Sequence, residues 1–165
     1  PLKSMRKVII DDFEIICVLG KAGTEEVLLV RHKTTADLYA LKAGNKRYLR
    51  TEQSVLKCMA IERTNPFVDN LWCSFHDKEN LVLVMDFLPG GNLATQLAHW
   101  GLLSHHRARF YAAEIVEGVE GLHAAGVICR DLKPENILIG GDGHIVLTDF
   151  GLAKEFPRLT AAIVS

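Results

Sequence analysis

The hydrophobic pattern of the chain changes at Pro89-Gly90-Gly91, and this change constrains the fold most strongly. Before these residues, apolar positions fall in short runs bounded by turn residues, which is typical of strands. After them, apolar positions recur at helical spacing over a longer stretch. The sequence has no internal repeat, so this order predicts an α+β fold in which a strand-rich part precedes a helical part.

Five strands and one helix are predicted before the change of pattern. The strands are predicted at residues 13–19, 26–31, 37–43, 71–75 and 81–87. Leu49, Leu56 and Met59 fall at helical spacing, so a helix is predicted over residues 46–60. Asn65-Pro66 ends this helix, because the residue before a proline disfavours helical geometry.

A long helix and a hairpin are predicted in the second half. Ser104 is expected to cap the helix at its start, and Gly126 is expected to stop it. One stripe of this helix is apolar and is predicted to face a core: Ala108, Tyr111, Ala112, Ile115, Val119 and Leu122. The hairpin joins residues 136–139 to residues 144–148 around a glycine-rich turn.

Composition narrows the class of protein. The 165 residues are 48% hydrophobic and 24% charged, which suits one globular domain. A net charge of −1 gives no basic field for nucleic acid or an anionic membrane, and no apolar run approaches the ~20 residues of a membrane span. The four cysteines lack C-x-x-C spacing, so a reducing compartment is expected and a metal site is not. His105-His106 is interpreted as solvated surface.

Four polar residues suited to phosphate chemistry lie near the C-terminal end. Asp131, Lys133 and Asn136 stand in the segment from Cys129 to Asn136, and Asp149 stands in Thr148-Asp149-Phe150-Gly151. Phosphoryl transfer needs a carboxylate that accepts a hydroxyl proton, oxygen ligands for magnesium, and a cation near the moving charge. The set therefore indicates chemistry on a phosphate.

The two motifs resemble the catalytic loop (His-Arg-Asp-Leu-x-x-x-Asn) and the magnesium loop (Asp-Phe-Gly) of eukaryotic protein kinases. Cys129 stands where the family has histidine. Residues 90–93, 107–115 and 151–155 resemble the AGC group of serine/threonine kinases, especially its Akt-like, protein-kinase-C-like and fungal Ypk-like members. The resemblance covers about residues 13–156, and Lys-Pro-Glu-Asn at 133–136 favours serine/threonine specificity.

The resemblance implies a fold and a domain organisation. Residues 1–12 are expected to be an N-terminal extension, and residues 13–165 a protein kinase domain. In that domain an antiparallel-sheet N-lobe with one main helix takes about residues 13–86, a hinge about 86–91, and a mostly helical partial C-lobe about 92–165. Fourteen residues follow Gly151 without an Ala-Pro-Glu motif, so the domain is expected to be truncated shortly after Asp-Phe-Gly.

The resemblance also implies the roles of the catalytic residues. Asp131 would accept the proton of the substrate hydroxyl, and Lys133 would neutralise the γ-phosphate. Asn136 and Asp149 would coordinate Mg²⁺ through oxygen atoms. ATP and Mg²⁺ are therefore the expected cofactors, and a protein with a Ser or Thr hydroxyl is the expected substrate.

Ten residues are expected to form the ATP site by the same resemblance. Lys42, in Tyr39-Ala40-Leu41-Lys42, would hold the α- and β-phosphates, and Glu52 on the following helix would pair with it. The others would enclose the adenine ring, bind its edge or form the phosphate loop: Leu19, Gly20, Val27, Ala40, Met85, Asp86, Leu88 and Leu138.

Two departures from the family pattern bear on activity. The phosphate loop should read Gly-x-Gly-x-x-Gly, but residues 20–25 keep Gly20, shift the second glycine to Gly23 and place Glu25 at the third position. A carboxylate repels a polyphosphate by about 1 kcal/mol at 4 Å in water, and by more in a shielded cleft. Asn92 replaces the glutamate that contacts ribose and a substrate arginine in this group, which removes the basis for a preference for basic substrates.

Three functions from different classes follow from these observations. The first is a serine/threonine protein kinase, which the intact Lys42, Glu52 and Asp131 favour. The second is a pseudokinase or truncated kinase-derived protein that binds nucleotide or partners without turnover, which Glu25 and the missing lower lobe favour. The third is a nonfunctional fragment. The predicted family role is kinase, and turnover by these 165 residues alone is not expected.

Partners and location are also expectations. A partner or a missing segment is expected to cover the incomplete C-lobe, and no nucleic acid and no membrane span are expected. The expected location is the cytoplasm, with the nucleus as the alternative.

Overall fold

A computed structural model of the chain describes residues 8–62, 65–76 and 78–156. Contacts divide the chain into two compact units, Pro1–Leu49 with Leu71–Phe87 and Arg50–Asn70 with Leu88–Ser165. Parts of the predicted extension at residues 1–12 and of the C-terminal end lie outside the described residues. The lobe boundaries predicted from the sequence stay a prediction.

The first unit is built on a five-stranded antiparallel sheet. Its strands are β1 (Phe13–Ala22), β2 (Glu25–His32), β3 (Leu38–Asn45), β4 (Leu71–His76) and β5 (Asn80–Asp86). They lie in the order β1-β2-β3-β5-β4, and every neighbouring pair is antiparallel. All five predicted strands are present, and their ends differ from the predicted ones by at most three residues. The predicted antiparallel sheet is therefore confirmed.

One face of this sheet forms the core of the first unit. Four buried side chains lie at its centre: Phe13, Val30, Leu41 and Val84. Leu41 lies opposite Val84 in the register, and cross-strand partners point to the same side of a sheet. The residues on either side of Leu41 therefore point to the other face, and these are Ala40 and Lys42.

A helix follows the third strand, as predicted. α1 (Lys46–Glu62) begins at the predicted residue, and Asn45 Oδ1 accepts a hydrogen bond from the backbone N–H of Arg47 at 2.9 Å. Four apolar side chains of α1 are buried: Leu49, Val55, Leu56 and Met59. The helix continues from the first unit into the second.

The second unit adds two helices, of which the sequence predicted one. α3 (His105–Ala124) is the predicted long helix, and Ser104 Oγ accepts a hydrogen bond from the backbone N–H of Arg107 at 3.3 Å. Gly126 follows its end with φ 77°, a left-handed value that favours glycine. α2 (Leu93–Trp100) was not predicted. Its sequence signal is Asn92, whose Oδ1 accepts from the backbone N–H of Thr95 at 2.8 Å and caps the helix.

Two short antiparallel strand pairs complete the described part of this unit. β7 (Ile137–Ile139) pairs with β8 (Ile145–Leu147), which confirms the predicted hairpin with shorter strands. β6 (Val127–Ile128) pairs with β9 (Lys154–Glu155), and this pair was not predicted. Two-residue strands are too short to show alternation in a sequence.

The predicted apolar stripe of α3 was partly wrong. Ala108 and Ala112 are exposed, and the most buried line of the helix consists of Glu114, Gly118 and Leu122. Glu114 is buried because its Oε2 accepts the backbone N–H of Ile145 at 3.0 Å. The helix therefore packs through a hydrogen-bonding carboxylate and a glycine as well as through apolar side chains.

Gly118 lets α3 approach the hairpin closely. A Cβ at this position would lie 2.8 Å from Leu147 Cδ1 and 3.2 Å from Phe67 Cβ. Leu147 is buried, so there is little space into which it could move.

The cysteines are free, and two neighbouring histidines lie on the surface. All four cysteines are free thiols, and burial raises the pKa of Cys73 to about 11. His105 and His106 are exposed at the start of α3. Among the residues that the structure describes, no helix combines the length and the apolar character needed to cross a membrane.

Candidate active site

The catalytic-loop side chains form one hydrogen-bonded cluster in the second unit. Lys133 Nζ donates to Asp131 Oδ2 at 2.7 Å. Asn136 Nδ2 donates to Asp131 Oδ2 and to the Asp131 carbonyl oxygen, both at 3.0 Å. A short 3-10 helix, Pro134–Asn136, buries Asn136 while Asp131 stays partly exposed. Three of the four residues predicted from the two motifs are thus in direct contact.

These contacts change the acidity of Asp131 and Lys133. The hydrogen bond from Lys133 is the main cause that holds the pKa of Asp131 below its usual value, and the bond from Asn136 acts in the same direction. The same bond to Asp131 is the main cause that raises the pKa of Lys133, and the charge of Asp149 adds to it. Both groups are therefore charged at neutral pH, and Asp131 is a weak base while Lys133 stays bound to it.

The β7–β8 hairpin brings Asn136 and Asp149 to the same end. Ile137 lies opposite Leu147, and the Thr148 backbone N–H donates to the Asn136 carbonyl oxygen at 3.0 Å. Asp149 comes next and has φ 60°, a left-handed value that is uncommon for a residue other than glycine. The hairpin register thus positions both predicted metal ligands.

Asn136 and Asp149 fit a magnesium site by their chemistry. The amide nitrogen of Asn136 is committed to Asp131, so its amide oxygen is the atom that can bind a cation. Mg²⁺ prefers such oxygen ligands and usually keeps waters and substrate phosphates in its shell. Within residues 8–62, 65–76 and 78–156, no group of three or more His, Cys, Asp or Glu could hold a metal. The pair therefore suits a cation that is bound together with a phosphate.

Cys129 and Arg130 precede Asp131, and the first is buried while the second is exposed. Burial is the main cause that raises the pKa of Cys129, so the residue in place of the family histidine is a neutral thiol. Arg130 has φ 65°, and its Nε donates to the Leu152 carbonyl oxygen at 2.7 Å. This bond ties the catalytic loop to the segment after Asp-Phe-Gly.

The predicted ATP-binding residues of the first unit share one face of its sheet. Val27 lies opposite Lys42, and Ala40 lies opposite Met85. Ala40 and Lys42 are the neighbours of Leu41 in β3, so they point away from the core around Leu41. Their cross-strand partners, Met85 and Val27, point to the same side as they do. Lys42 is only 6% exposed, which is rare for a lysine without a charged or polar partner. The sheet therefore places these four residues on one face, and their role in ATP binding stays a prediction.

The remaining ATP-binding residues are placed as follows. Leu19 and Gly20 lie near the end of β1, and Leu19 is 45% exposed. Asp86 is exposed at the end of β5 in the first unit. Leu88 and Leu138 are partly buried in the second unit, where Leu138 bridges to Asn92. Glu52 is buried on α1 at 2% exposure, and its pairing with Lys42 stays a prediction.

The sequence missed a contact that involves the phosphate loop. Glu25 Oε2 lies 3.4 Å from Lys42 Nζ, so the carboxylate at the third glycine position forms an ion pair with the predicted phosphate-binding lysine. The turn between β1 and β2 is Gly23-Thr24, and Gly23 has φ 59°. The alternation of strand residues could have indicated that Glu25, Val27 and Lys42 share a face, but only with the register known.

Comparison with known proteins identifies the family. A family model described as "Protein kinase domain" matches residues 13–163. Serine/threonine-protein kinase AtPK1/AtPK6 of Arabidopsis thaliana is 47% identical over 157 residues, covering 92% of this chain and 34% of that protein. Serine/threonine-protein kinase YPK2/YKR2 of Saccharomyces cerevisiae is 46% identical over 151 residues, covering 88% and 22%. The RAC family serine/threonine-protein kinase homolog of Dictyostelium discoideum is 39% identical over 158 residues, covering 93% and 36%.

The chain belongs to the protein kinase domain family. Its predicted place in the AGC group is confirmed by the relatives that it matches. Protein kinases generally use ATP and Mg²⁺ and act on proteins. The chain spans about a third of the length of its Arabidopsis relatives AtPK1/AtPK6 and AtPK2/AtPK19.

Proposed function

We propose that this chain is the nucleotide-binding and catalytic-loop part of a serine/threonine protein kinase, which transfers the γ-phosphate of ATP to Ser or Thr hydroxyls of a protein. The observation that carries the proposal is the contact of Asp131 with both Lys133 and Asn136. The relatives, all named as kinases, support it, and no comparison favours the pseudokinase alternative. The cytoplasm, with the nucleus as the alternative, remains the expected location.

The proposed roles follow from charge and hydrogen bonding. Asp131 orients the substrate hydroxyl and takes its proton, and Lys133 leaves Asp131 to neutralise the transferring phosphate. Asn136 and Asp149 hold Mg²⁺, which when bound neutralises phosphate charge. Lys42 holds the inner phosphates, and Val27, Ala40 and Met85 offer an apolar face to the adenine ring.

The first prediction tests nucleotide binding. Mg-ATP is expected to raise the melting temperature of the protein, because a ligand that binds only the folded state stabilises it by RT ln(1 + [L]/Kd). Asp149→Asn should remove most of the magnesium-dependent part of this shift, and Lys42→Met most of the phosphate-dependent part. The measurement is a thermal melt with ATP and with adenosine, each with and without Mg²⁺.

Asp142→Asn is the matched control for Asp149→Asn. It makes the same chemical change at the turn end of the same hairpin, where Asp142 Oδ1 accepts the backbone N–H of His144 at 3.1 Å. An asparagine keeps that acceptor, so the shift in melting temperature that Mg-ATP causes should match that of the wild type. The proposal fails if millimolar Mg-ATP gives no shift, or if Asp149→Asn and Asp142→Asn behave alike.

A further inference from the structure

Glu25 is positioned to compete with a nucleotide for Lys42. It is the first residue of β2 and lies two residues before Val27, so these two side chains point to the same face of the sheet. Val27 lies opposite Lys42, so Glu25 also shares the face of the lysine. The distance from Glu25 Oε2 to Lys42 Nζ is 3.4 Å. The Glu25 side chain is 25% exposed and that of Lys42 is 8% exposed. Water and salt therefore screen this pair less than a surface pair.

Gly44 provides the space that the Glu25 side chain occupies. A Cβ at position 44 would lie 3.0 Å from Glu25 Cγ and 3.5 Å from Glu25 Cα. The carboxylate therefore reaches Lys42 by crossing the backbone of β3 where a side chain is absent. A Cβ at position 44 would require the Glu25 side chain to shift by a few tenths of an ångström.

The next residue provides an internal comparison. Glu26 points to the opposite side of the strand and pairs with Lys21 at 2.7 Å, with both side chains well exposed at 38% and 67%. Two adjacent glutamates thus form ion pairs of different kinds. Only Glu25 is paired with the lysine assigned to the phosphates.

We infer that Glu25 sets the charge selectivity of the nucleotide site: its carboxylate holds Lys42 until a phosphate displaces it, so a ligand that uses Lys42 for a phosphate binds with a penalty. This inference rests on the proposed function, because it takes Lys42 to be the phosphate-binding group. Lys42 has other contacts besides the one with Glu25. An uncharged adenine ligand such as adenosine needs no displacement of Glu25 and should bind without this penalty.

The test compares Glu25→Gln with Glu26→Gln in the binding of Mg-ATP and of adenosine, measured by calorimetry. Glu25→Gln should tighten Mg-ATP binding about tenfold, a factor of the size found for couplings between contacting charges. Its adenosine affinity should change less than about twofold, and Glu26→Gln should change neither ligand by more than about twofold.

Glu25 could weaken Mg-ATP binding by competing for Lys42 or by repelling the phosphates directly. Measuring the effect of Glu25→Gln in a Lys42→Met variant separates these two causes. Under competition, Glu25→Gln should gain less than about threefold for Mg-ATP once Lys42 is absent. An equal gain in both backgrounds would overturn the inference. So would a Mg-ATP affinity that Glu25→Gln leaves unchanged, or weakens, while adenosine still binds. If neither ligand binds any variant, the proposed function fails and the inference fails with it.

Discussion

The carboxylate of Asp131 accepts hydrogen bonds from a lysine and an amide, and these bonds bear on its proposed role as a base. Lys133 and Asn136 both donate to Asp131 Oδ2. The Lys133 side chain is 45% exposed, so it can leave without disturbing a core. Asp131 should therefore become more basic when Lys133 turns to a phosphate, which is when a proton acceptor is needed.

A second prediction concerns this acidity. Lys133→Met removes the hydrogen bond and the charge that hold the pKa of Asp131 low, so this pKa should rise toward its usual value. The measurement is an NMR titration of the Asp131 carboxyl carbon. Lys154→Met is the control, since Lys154 lies over the Phe156 ring at 5.1 Å. Equal Asp131 pKa values in both variants would show that Lys133 does not tune this carboxylate.

The sequence could indicate the catalytic residues one by one, because order and spacing carry their identities. Asp131, Lys133 and Asn136 were predicted in this way, and the structure brings them into contact. The ion pair of Glu25 with Lys42 could not be predicted. It depends on strand register and on the missing side chain of Gly44, which join residues that are distant in the sequence.

At the scale of elements, α3 is joined to the β7–β8 hairpin by one buried carboxylate. Glu114 accepts the Ile145 backbone N–H, and its Oε1 contacts His144 Nδ1 at 2.5 Å. The contact with Glu114 is the main cause that raises the pKa of His144 above 6.5, and the charge of Asp142 adds to it. The protonated histidine therefore stabilises the packing of helix and hairpin.

A third prediction concerns the pH dependence of the free energy of unfolding. Because the pKa of His144 is raised in the folded state, its contribution to the free energy of unfolding is fully present below about pH 6.5 and is lost as the pH rises through the raised pKa. Wild type should thus lose more stability between pH 6 and pH 9 than His144→Gln does. Denaturant unfolding at several pH values measures this difference.

The control for the pH series is His105→Gln, which removes an exposed histidine at the start of the same helix. It should keep the pH dependence of the wild type. The interpretation is wrong if His144→Gln and His105→Gln give parallel curves.

A fourth prediction tests how closely α3 packs on the hairpin. Alanine favours helices over glycine by about 1 kcal/mol, but Gly118→Ala places a Cβ 2.8 Å from Leu147 Cδ1. Crowding of this kind costs about 1–3 kcal/mol in a packed core. The variant should therefore unfold at lower denaturant concentration than the wild type.

Ala113→Gly at an exposed position of α3 calibrates this result, because it measures the helix-propensity difference where packing is absent. Gly118→Ala would otherwise be expected to stabilise the protein by the same amount. A stabilised Gly118→Ala variant would mean that Leu147 moves aside at little cost.

Helices and strands were predictable where their apolar pattern extends over many residues. They were less predictable where contacts between distant residues determine the structure. β1, β2 and β3 follow from short apolar runs bounded by turn residues, and α3 follows from its cap and length. α2 spans only eight residues and was missed, because the motif that contains Asn92 was interpreted through its resemblance rather than as a helix cap. The buried line of α3 was misjudged because a glutamate and a glycine occupy it.

For the molecule as a whole, the change of pattern at residues 89–91 predicted the fold class correctly. An antiparallel sheet precedes a part rich in helix, and the match to the protein kinase domain over residues 13–163 agrees with this order. Contacts group Arg50–Asn70 with the chain after Leu88, although these two segments are distant in the sequence. Such grouping depends on contacts between distant segments, which hydrophobic periodicity does not report.

The left-handed backbone at Asp149 favours a glycine for local stability, whereas the proposed magnesium site needs the aspartate. At φ 60° a side chain is strained and a glycine is not. Folding alone would therefore favour replacing this aspartate by glycine, and such a replacement would remove the carboxylate assigned to Mg²⁺. If Asp149 holds Mg²⁺ as proposed, a search for more stable variants would select against the magnesium ligand at this position.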